Sequence, residues 1–277
     1  MLLERMDVNP NTADMYGETP LYIAVWKGHE GILKRLLSRE HANPNTSNKW
    51  GETPLTTAVK NGHEGIVKVL LERRDVNPNT TNQGGETPLF IAAQEGNRGI
   101  VKILLGRLDL NLNIGDKEGQ TPLFLAAGQG YEEVVEMLLA RDDVDPDIPV
   151  RYGKTPLFKA AHGGHEQVVK MFLRRSDVNP NKADNYGETP LLTAVSEGHE
   201  GVVKILLKRV DVNLDMADFA VRRVLTIAQG RGYDALVKYV SEHISLPPPF
   251  DGDEFNAKNP QAGTNPNERP SKRRRRF

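Results

Sequence analysis

Histidine and acidic residues are the side chains of this sequence with the types and spacing to do chemistry. The stretch HGGH, from His162 to His165, brings two histidines together, and the stretch DDVDPD, from Asp142 to Asp147, is rich in carboxylates. A zinc site needs further ligands that converge on the metal, and HGGH has no third ligand at a suitable spacing. DDVDPD lacks the glycine and the distal glutamate of a calcium loop. We therefore expect no metal site and no cofactor.

Nucleophilic and phosphate-binding chemistry is also poorly represented. The chain has no cysteine, which excludes disulfides, thiolate metal sites and a cysteine nucleophile. Four of the seven histidines occupy one position of a repeated pattern, so they form a row and do not converge; they are His29, His63, His165 and His199. The glycines recur singly at a fixed phase, unlike a phosphate-binding loop. We expect a protein without catalytic activity, and an enzyme is a remote alternative.

The dominant feature is a repeat. Glycine stands at positions 17, 51, 85, 119, 153 and 187, a constant spacing of 34 residues. Each glycine opens a GETP-like phrase, followed by an apolar run that ends in Ala-Ala or Ala-Val and then, in four of the six copies, by a Gly-His junction. A seventh copy is degraded but in register, with Val221 in place of the glycine and Gly232 in place of Gly28. A period of this size is typical of stacked supersecondary units.

Each unit is predicted to form two short helices and a turn. Thr19 before Pro20 favours a helix start, because the hydroxyl accepts an unpaired amide hydrogen bond and proline lacks an amide. Gly28 is predicted to end this helix. The second helix begins near His29 and Glu30, and its apolar residues recur at helical spacing. The Asn-, Pro- and Asp-rich stretch that follows predicts a projecting turn.

The phrases G-x-T-P-L, Ala-Ala, Gly-His and D-V-N resemble the ankyrin repeat over most of the chain. This resemblance implies an all-α ankyrin-repeat solenoid of about six full 34-residue repeats plus the degenerate seventh, built from helix-turn-helix units with projecting turns. We expect a partial repeat over residues 1–16, the array over 17–246 and a disordered basic tail over 247–277. The family's histidine after T-P-L is replaced here by Tyr22, Thr56, Phe90, Phe124, Phe158 and Leu192.

The resemblance also implies where a partner would bind. In the family, the contact surface comprises the turn tips and the exposed ends of the first helices. The candidate partner-binding residues at these positions are Tyr16, Trp26, Lys27, Trp50, Lys60, Gln94, Tyr152, His162 and Tyr186. Exposed Trp and Tyr are favoured at interface hot spots, and both tryptophans of the chain are in this set. The other interpretation is that each tyrosine packs on its own turn.

Charge and hydropathy limit the other partners. No stretch reaches the ~20 apolar residues of a membrane span, and the N-terminus lacks the apolar core of a signal peptide. From Pro247 onward seven basic and four acidic residues give +3, so the overall −1 leaves −4 on the array. We expect no nucleic acid on the array, no membrane partner and a monomer. The run Lys272, Arg273, Arg274, Arg275 and Arg276 predicts nuclear import through an import receptor, with a cytoplasmic or nuclear location, or both. The alternatives are a nonspecific contact with a polyanion and a solvated tail without a role.

A second functional interpretation concerns the context of the array. The phrases D-V-N-P-N and G-H-E-G-V-V-K are similar to long ankyrin arrays that fungi attach to NLR-like nucleotide-binding proteins. The first residues, LLERMDVNPNT, match LLERRDVNPNT starting at Leu70, so the chain begins inside a repeat. We therefore also expect that the apolar face of the first full repeat is poorly covered. In this alternative the chain is a detached regulatory array of a larger protein, without independent activity.

Overall fold

A computed structural model describes residues 9–209, 212, 218–234, 237 and 238. The beginning of the expected partial repeat, the last residues of the expected array and the whole tail, including Lys272–Arg276, lie outside these residues. Within them the structure is helical and contains no strand. The helices are α1 Pro20–Trp26, α2 Glu30–Leu37, α3 Pro54–Lys60, α4 Glu64–Leu71, α5 Pro88–Gln94, α6 Arg98–Leu104, α7 Pro122–Gln129, α8 Glu132–Leu139, α9 Pro156–His162, α10 Glu166–Leu173, α11 Pro190–Glu197, α12 Glu200–Leu207 and α13 Asp218–Arg231.

The Thr-Pro pairs begin the first helix of each repeat, as predicted. Thr19 is extended, and its hydroxyl oxygen accepts a hydrogen bond of 3.1 Å from the amide of Tyr22. Pro20 supplies the first helical residue without an amide to satisfy. The other first helices begin in the same way at Thr53, Thr87, Thr121, Thr155 and Thr189. The six helix starts are therefore identical in register.

The glycine at each helix junction has a left-handed backbone. Gly28 has a φ of 74°, a conformation that costs glycine little and other residues more. The reversal lets the amide of His29 reach back to the carbonyl of Ala24 at 2.8 Å. The same glycine conformation recurs at Gly62, Gly96, Gly130, Gly164, Gly198 and Gly232. Each junction therefore sends the second helix back along the first.

One apolar core runs through the whole stack. The first helices pack side by side in the order α1, α3, α5, α7, α9 and α11, and the second helices pack in a parallel layer. Small residues permit close approach of the first helices; the buried alanines are Ala24, Ala58, Ala92, Ala126, Ala160 and Ala194. At the N-terminal face, Ile23 is 40% and Ile32 39% exposed, whereas Ile66, the counterpart of Ile32, is 3% exposed. The apolar face of the first full repeat is thus less covered than later ones.

The position that carries the family's histidine is used differently from repeat to repeat. In the first repeat the hydroxyl of Tyr22 donates to Oε2 of Glu52 at 3.2 Å and accepts from Nδ2 of Asn48 at 2.9 Å. This tyrosine therefore links two repeats by hydrogen bonds. The later residues at this position are buried and mainly apolar; they are Thr56, Phe90, Phe124, Phe158 and Leu192. The hydroxyl of Thr56 bonds to that of Thr53 within its own repeat, and at the apolar positions packing takes the place of the side-chain hydrogen bond.

The seventh unit keeps the register but not the turn. Gly232 has a φ of 71°, and the amide of Tyr233 donates to the carbonyl of Ala228 at 2.8 Å, as in the other junctions. Helix α13 packs against α11, yet it begins at Asp218, six residues before the Pro190 position repeats. It therefore occupies the stretch where a GETP-like turn stands in the other repeats.

Asparagine side chains join the turns that follow the second helices. Nδ2 of Asn79 donates to the carbonyl of Asp109 at 2.7 Å, and its Oδ1 accepts from the amide of Asn111 at 2.8 Å. The same pair of bonds is made by Asn11, Asn45 and Asn113. One side chain thus acts as an additional peptide group between neighbouring repeats. The Asn-rich stretch of each repeat therefore supplies a row of hydrogen bonds between successive turns, which we call the asparagine ladder.

Arginines form a second ladder beside the asparagines. Arg107 donates to the carbonyls of Leu71, Arg73 and Val76 in the preceding repeat and pairs with Asp109 at 2.7 Å. These carbonyls belong to the end of a helix and to its turn, which favour a cation. Equivalent bonds to the preceding repeat are made by Arg73, Arg141, Arg175 and Arg209.

Candidate functional site

The turn tips of successive repeats lie next to each other in a row. We define the tip row as the residues that precede the GETP-like glycines: Tyr16, Trp50, Gly84, Glu118, Tyr152 and Tyr186. A backbone hydrogen bond joins each tip to the next; the amide of Lys49 donates to the carbonyl of Tyr16 at 2.8 Å, and the amide of Gln83 donates to that of Trp50 at 2.9 Å. The spacing of the tip side chains is therefore fixed by the backbone.

Each tip is shaped by an acidic or amide side chain two residues before it. Oδ1 of Asn48 accepts hydrogen bonds of 3.0 Å from the amides of Trp50 and Glu52. This Asx turn closes the tip without strain. The same two bonds are made by Asp14, Asn82, Asp116 and Asp184.

The fifth tip departs from this pattern. Val150 stands where the other repeats have Asp or Asn, and its side chain cannot accept the two bonds. In this turn the backbone of Tyr152 is left-handed, with φ 67° and ψ 14°, inside a short 3₁₀ turn over Arg151–Gly153. Among the described residues Tyr152 is the one non-glycine residue with a positive φ. A tyrosine in this conformation is strained by about 1 kcal/mol.

The aromatic tips form two pairs. The rings of Tyr16 and Trp50 are nearly parallel, at 8°, with centroids 6.4 Å apart. The rings of Tyr152 and Tyr186 lie 6.1 Å apart at 30°. All four side chains remain accessible, with Trp50 46% and Tyr186 74% exposed. The structure thus places these four predicted residues in two pairs, each formed by the tips of adjacent repeats.

The ends of the first helices form a second row. We define the helix-end row as Trp26, Lys60, Gln94, Gly128, His162 and Ser196. Trp26 is 52% exposed, and Nζ of Lys27 lies 4.0 Å from its ring centroid. Gln94 is exposed, and so is His162, whose Nδ1 lies 3.5 Å from Oε1 of Glu197. Gln94 and His162 do not contact the aromatic pairs.

Lys60 connects the helix-end row to the turn tips. Its Nζ forms an ion pair of 2.8 Å with Oε1 of Glu52. Burial acts to raise the pKa of the Glu52 carboxyl, but hydrogen bonds from Lys60, Asn48 and Tyr22 outweigh it, so that the pKa lies below its ordinary value. Glu52 is therefore ionised at neutral pH, and its charge is balanced by Lys60.

An open groove of about 420 Å³ lies on the side of Trp50 that faces the third repeat. It is lined by Trp50, Glu52, Lys60, Asn82, Gln83 and Gly84. Gly84 contributes no side chain at the tip where the first two repeats have aromatic rings. The groove is thus the space that a third aromatic ring would fill. One ligand segment in this groove can contact the indole of Trp50, the backbone of residues 82–84 and the Glu52–Lys60 ion pair.

Three features of this surface were not predicted from the sequence. They are the ammonium of Lys49 against the aromatic pair, the bonding of Glu52, and the left-handed Tyr152. The signal for the last was present, since Val150 breaks a row of Asp and Asn. For Lys49 the only signal is its place directly before Trp50.

Two of the junction histidines are engaged within the stack. Nε2 of His165 donates to the carbonyl of Gly128 at 3.0 Å, and Nε2 of His199 donates to that of His162 at 2.9 Å. These two histidines thus tie one repeat to the preceding one. Across the described ranges, no three His, Asp or Glu side chains come together as a set that could hold a metal ion. None of the helices in that part of the chain is long and apolar enough to cross a membrane.

Comparison with known proteins identifies the repeat. The family model described as ankyrin repeats (3 copies) matches residues 1–82, 31–116, 74–150 and 143–218 in overlapping segments. Among solved structures, the crystal structure of the ankyrin repeat protein EF0377 is similar, with a TM-score of 0.64 and 26% sequence identity. That match covers 71% of this chain and 99% of the other. No curated protein matches the chain.

Proposed function

Because this chain belongs to the ankyrin repeat family, whose repeats are protein–protein interaction modules, we propose that it binds a partner protein on the surface formed by the tip row and the helix-end row. The contact residues in this proposal are Tyr16, Trp26, Lys27, Trp50, Lys60, Gln94, Tyr152, His162 and Tyr186. They extend from the first repeat to the sixth.

The observation that carries the proposal is the exposure of aromatic rings along the turn tips. Most large apolar side chains in this fold are buried in the core, whereas Tyr16, Trp50, Tyr152 and Tyr186 are between 41% and 74% exposed and share one row. Rigid aromatic side chains give a large contact area at a small entropic cost. Backbone hydrogen bonds between the tips hold these rings in place before a partner arrives. The alternative, that each tyrosine packs on its own turn, fits Tyr186 least well.

We also propose that the chain has no catalytic activity. Ankyrin repeats are generally non-catalytic. The acidic side chains near the tips either accept hydrogen bonds that shape the turns, as Asp14, Asp116 and Asp184 do, or balance a lysine, as Glu52 does. General acid–base chemistry requires groups that face a common substrate position. Glu52 is committed to Tyr22, Asn48 and Lys60, which supports a structural role for this carboxylate.

Affinity capture from source cells with the full chain tests the proposal. The Trp26→Ala/Trp50→Ala variant should lose a partner that the wild type retains, and both should have the same helical content. Leu108→Ala is the matched control, because Leu108 is 94% exposed but lies outside both rows. Loss of the partner with Leu108→Ala, or its retention by the double variant, would contradict the proposed surface.

A further inference from the structure

The cation beside the first aromatic pair suggests what kind of group this surface recognises. Nζ of Lys49 lies 4.1 Å from the ring centroid of Tyr16 and 4.5 Å from that of Trp50. The two rings and the ammonium form one cluster, which we call the Tyr16–Lys49–Trp50 slot. Cation–π attraction to two rings positions an ammonium that would otherwise move freely on its flexible stem.

Lys49 makes no ion pair with a carboxylate in the described part of the chain. The nearest comparison is Lys60, whose charge is balanced by Glu52 at 2.8 Å. Glu52 in turn accepts from Tyr22 and Asn48, so its two oxygens are already used. The slot therefore presents a fixed positive charge between two exposed apolar faces.

The charge of the slot decides between an anionic and a cationic ligand. A lysine or arginine of a partner would have to displace Lys49 from the rings and would then lie beside another positive charge. A carboxylate can approach Lys49 where it stands and form a charge-assisted hydrogen bond, which is stronger than a neutral one. Apolar atoms next to that carboxylate would cover the exposed parts of the Tyr16 and Trp50 rings.

The groove beside Gly84 can accommodate the ligand residue that is next to the carboxylate. It begins at Trp50, on the side away from Tyr16, and offers polar groups of Asn82 and Gln83 beside the indole. A bulky apolar side chain fits the space left by Gly84. The side chain of Asn82 is committed to its own turn and to Glu86. Nε2 of Gln83 donates to the carbonyl of Lys49, so its Oε1 is the acceptor that remains for the backbone of an extended segment. One segment can therefore occupy the slot and the groove together.

We propose that the Tyr16–Lys49–Trp50 slot recognises a carboxylate side chain flanked by an apolar residue in an extended acidic segment of the partner protein. This inference rests on the proposed function and names the chemistry of the ligand. The carboxylate pairs with Lys49, and the apolar neighbour packs on Trp50 above Gly84.

Selection from a displayed library of random peptides of about 12 residues tests the inference. The folded full chain is the bait, and Lys49→Gln and Lys68→Gln are parallel baits. Lys68 is the matched control, since it is an exposed lysine of the same repeat that lies outside both rows. We expect the wild type and Lys68→Gln to select Asp or Glu next to Phe, Leu or Trp, and Lys49→Gln to lose the acidic preference.

A selected peptide then allows a direct measurement. Trp26→Phe leaves Trp50 as the single tryptophan of the chain, so that its fluorescence reports on the slot. Replacing the peptide's carboxylate by its amide should weaken binding about tenfold. An acidic preference that persists in Lys49→Gln would overturn the inference, as would the absence of any selected peptide with a folded bait.

Two further outcomes separate this inference from the proposed function. Selection of non-acidic peptides that Tyr16→Ala/Trp50→Ala loses would keep the binding surface but contradict the carboxylate. Selection of Lys- and Arg-rich peptides would point to a cationic occupant, such as the basic run Lys272–Arg276 of this chain, and would also contradict it.

Discussion

The amide of Asn179 donates a hydrogen bond of 2.7 Å to Oδ2 of Asp147, which is the one acidic residue among the described members of the asparagine ladder. The asparagines at this position also donate from Nδ2 to a carbonyl of the next turn. A carboxylate has no such donor, and Oδ1 of Asp147 is buried without a hydrogen-bond partner. The turn between the fourth and fifth repeats is thus the weakest link of the ladder.

We predict that Asp147→Asn raises the free energy of unfolding by about 1 kcal/mol at pH 7, because an amide NH2 restores the missing donor and replaces the buried carboxylate oxygen that has no partner. Urea denaturation followed by circular dichroism measures the change. The matched control is Asn113→Asp, which should create the same defect one repeat earlier and lower stability. An unchanged midpoint for Asp147→Asn would show that the acidic residue costs nothing.

The same defect predicts a pH dependence. Burial raises the pKa of the Asp147 carboxyl, with smaller contributions from Asp145 and Asp177 that raise it and from Asn179 and Lys182 that lower it. A carboxyl whose pKa is higher in the folded than in the unfolded state stabilises the fold at low pH, and this contribution is lost as pH rises through the folded pKa. The stability gained by Asp147→Asn should therefore be larger at neutral pH than at pH 4.

We predict that Val150→Asn stabilises the fifth tip by about 1 kcal/mol, because the new side chain can accept from the amides of Tyr152 and Lys154 as Asn48 does in its own turn. It would also offset the strain of the left-handed Tyr152. Thermal unfolding measures the effect. The reverse change in the sixth repeat, Asp184→Val, should be destabilising, and a stabilising result there would contradict the role assigned to the Asx turn.

Substitution of Arg107 measures how much the arginine ladder contributes to stability. Its guanidinium bonds to three carbonyls of the preceding repeat and to Asp109, and the side chain is only 15% exposed. Arg107→Ala should cost about 2 kcal/mol of stability. Arg107→Lys should recover little of it, because an ammonium cannot reproduce the planar fork of donors. Urea denaturation measures both changes in stability. Full recovery of stability by lysine would show that the positive charge at position 107 is sufficient and that the fork of donors is not needed.

The basic run Lys272–Arg276 is tested in cells. We propose that it is an import signal, so its deletion should move a fluorescently tagged chain from the nucleus to the cytoplasm. Replacing the same five residues by glutamine and serine controls for tail length. A distribution unchanged by both variants would remove the import proposal and leave binding on the array untouched.

The fold was predictable from the sequence because its determinants are local and repeated. Thr19 and Pro20 begin a helix, Gly28 ends it, and the same choices recur at every period. The contacts between repeats were less predictable, because each of them joins residues that are 30 to 36 positions apart in the sequence. Neither the two bonds of Asn79 nor the position of Lys49 between two rings follows from residue type. Departures from the period were the most informative signals: Val150, Asp147 and Gly84 each mark a place where the structure also departs from its neighbours.

Photo-crosslinking tests directly whether a partner protein binds along the tip row. A benzoylphenylalanine introduced at position 50 of the full chain is compared in source cells with one at position 108, and the products are identified by mass spectrometry. We expect one partner to be captured from position 50 and not from position 108. Equal capture from both positions, or capture from position 108 alone, would contradict it.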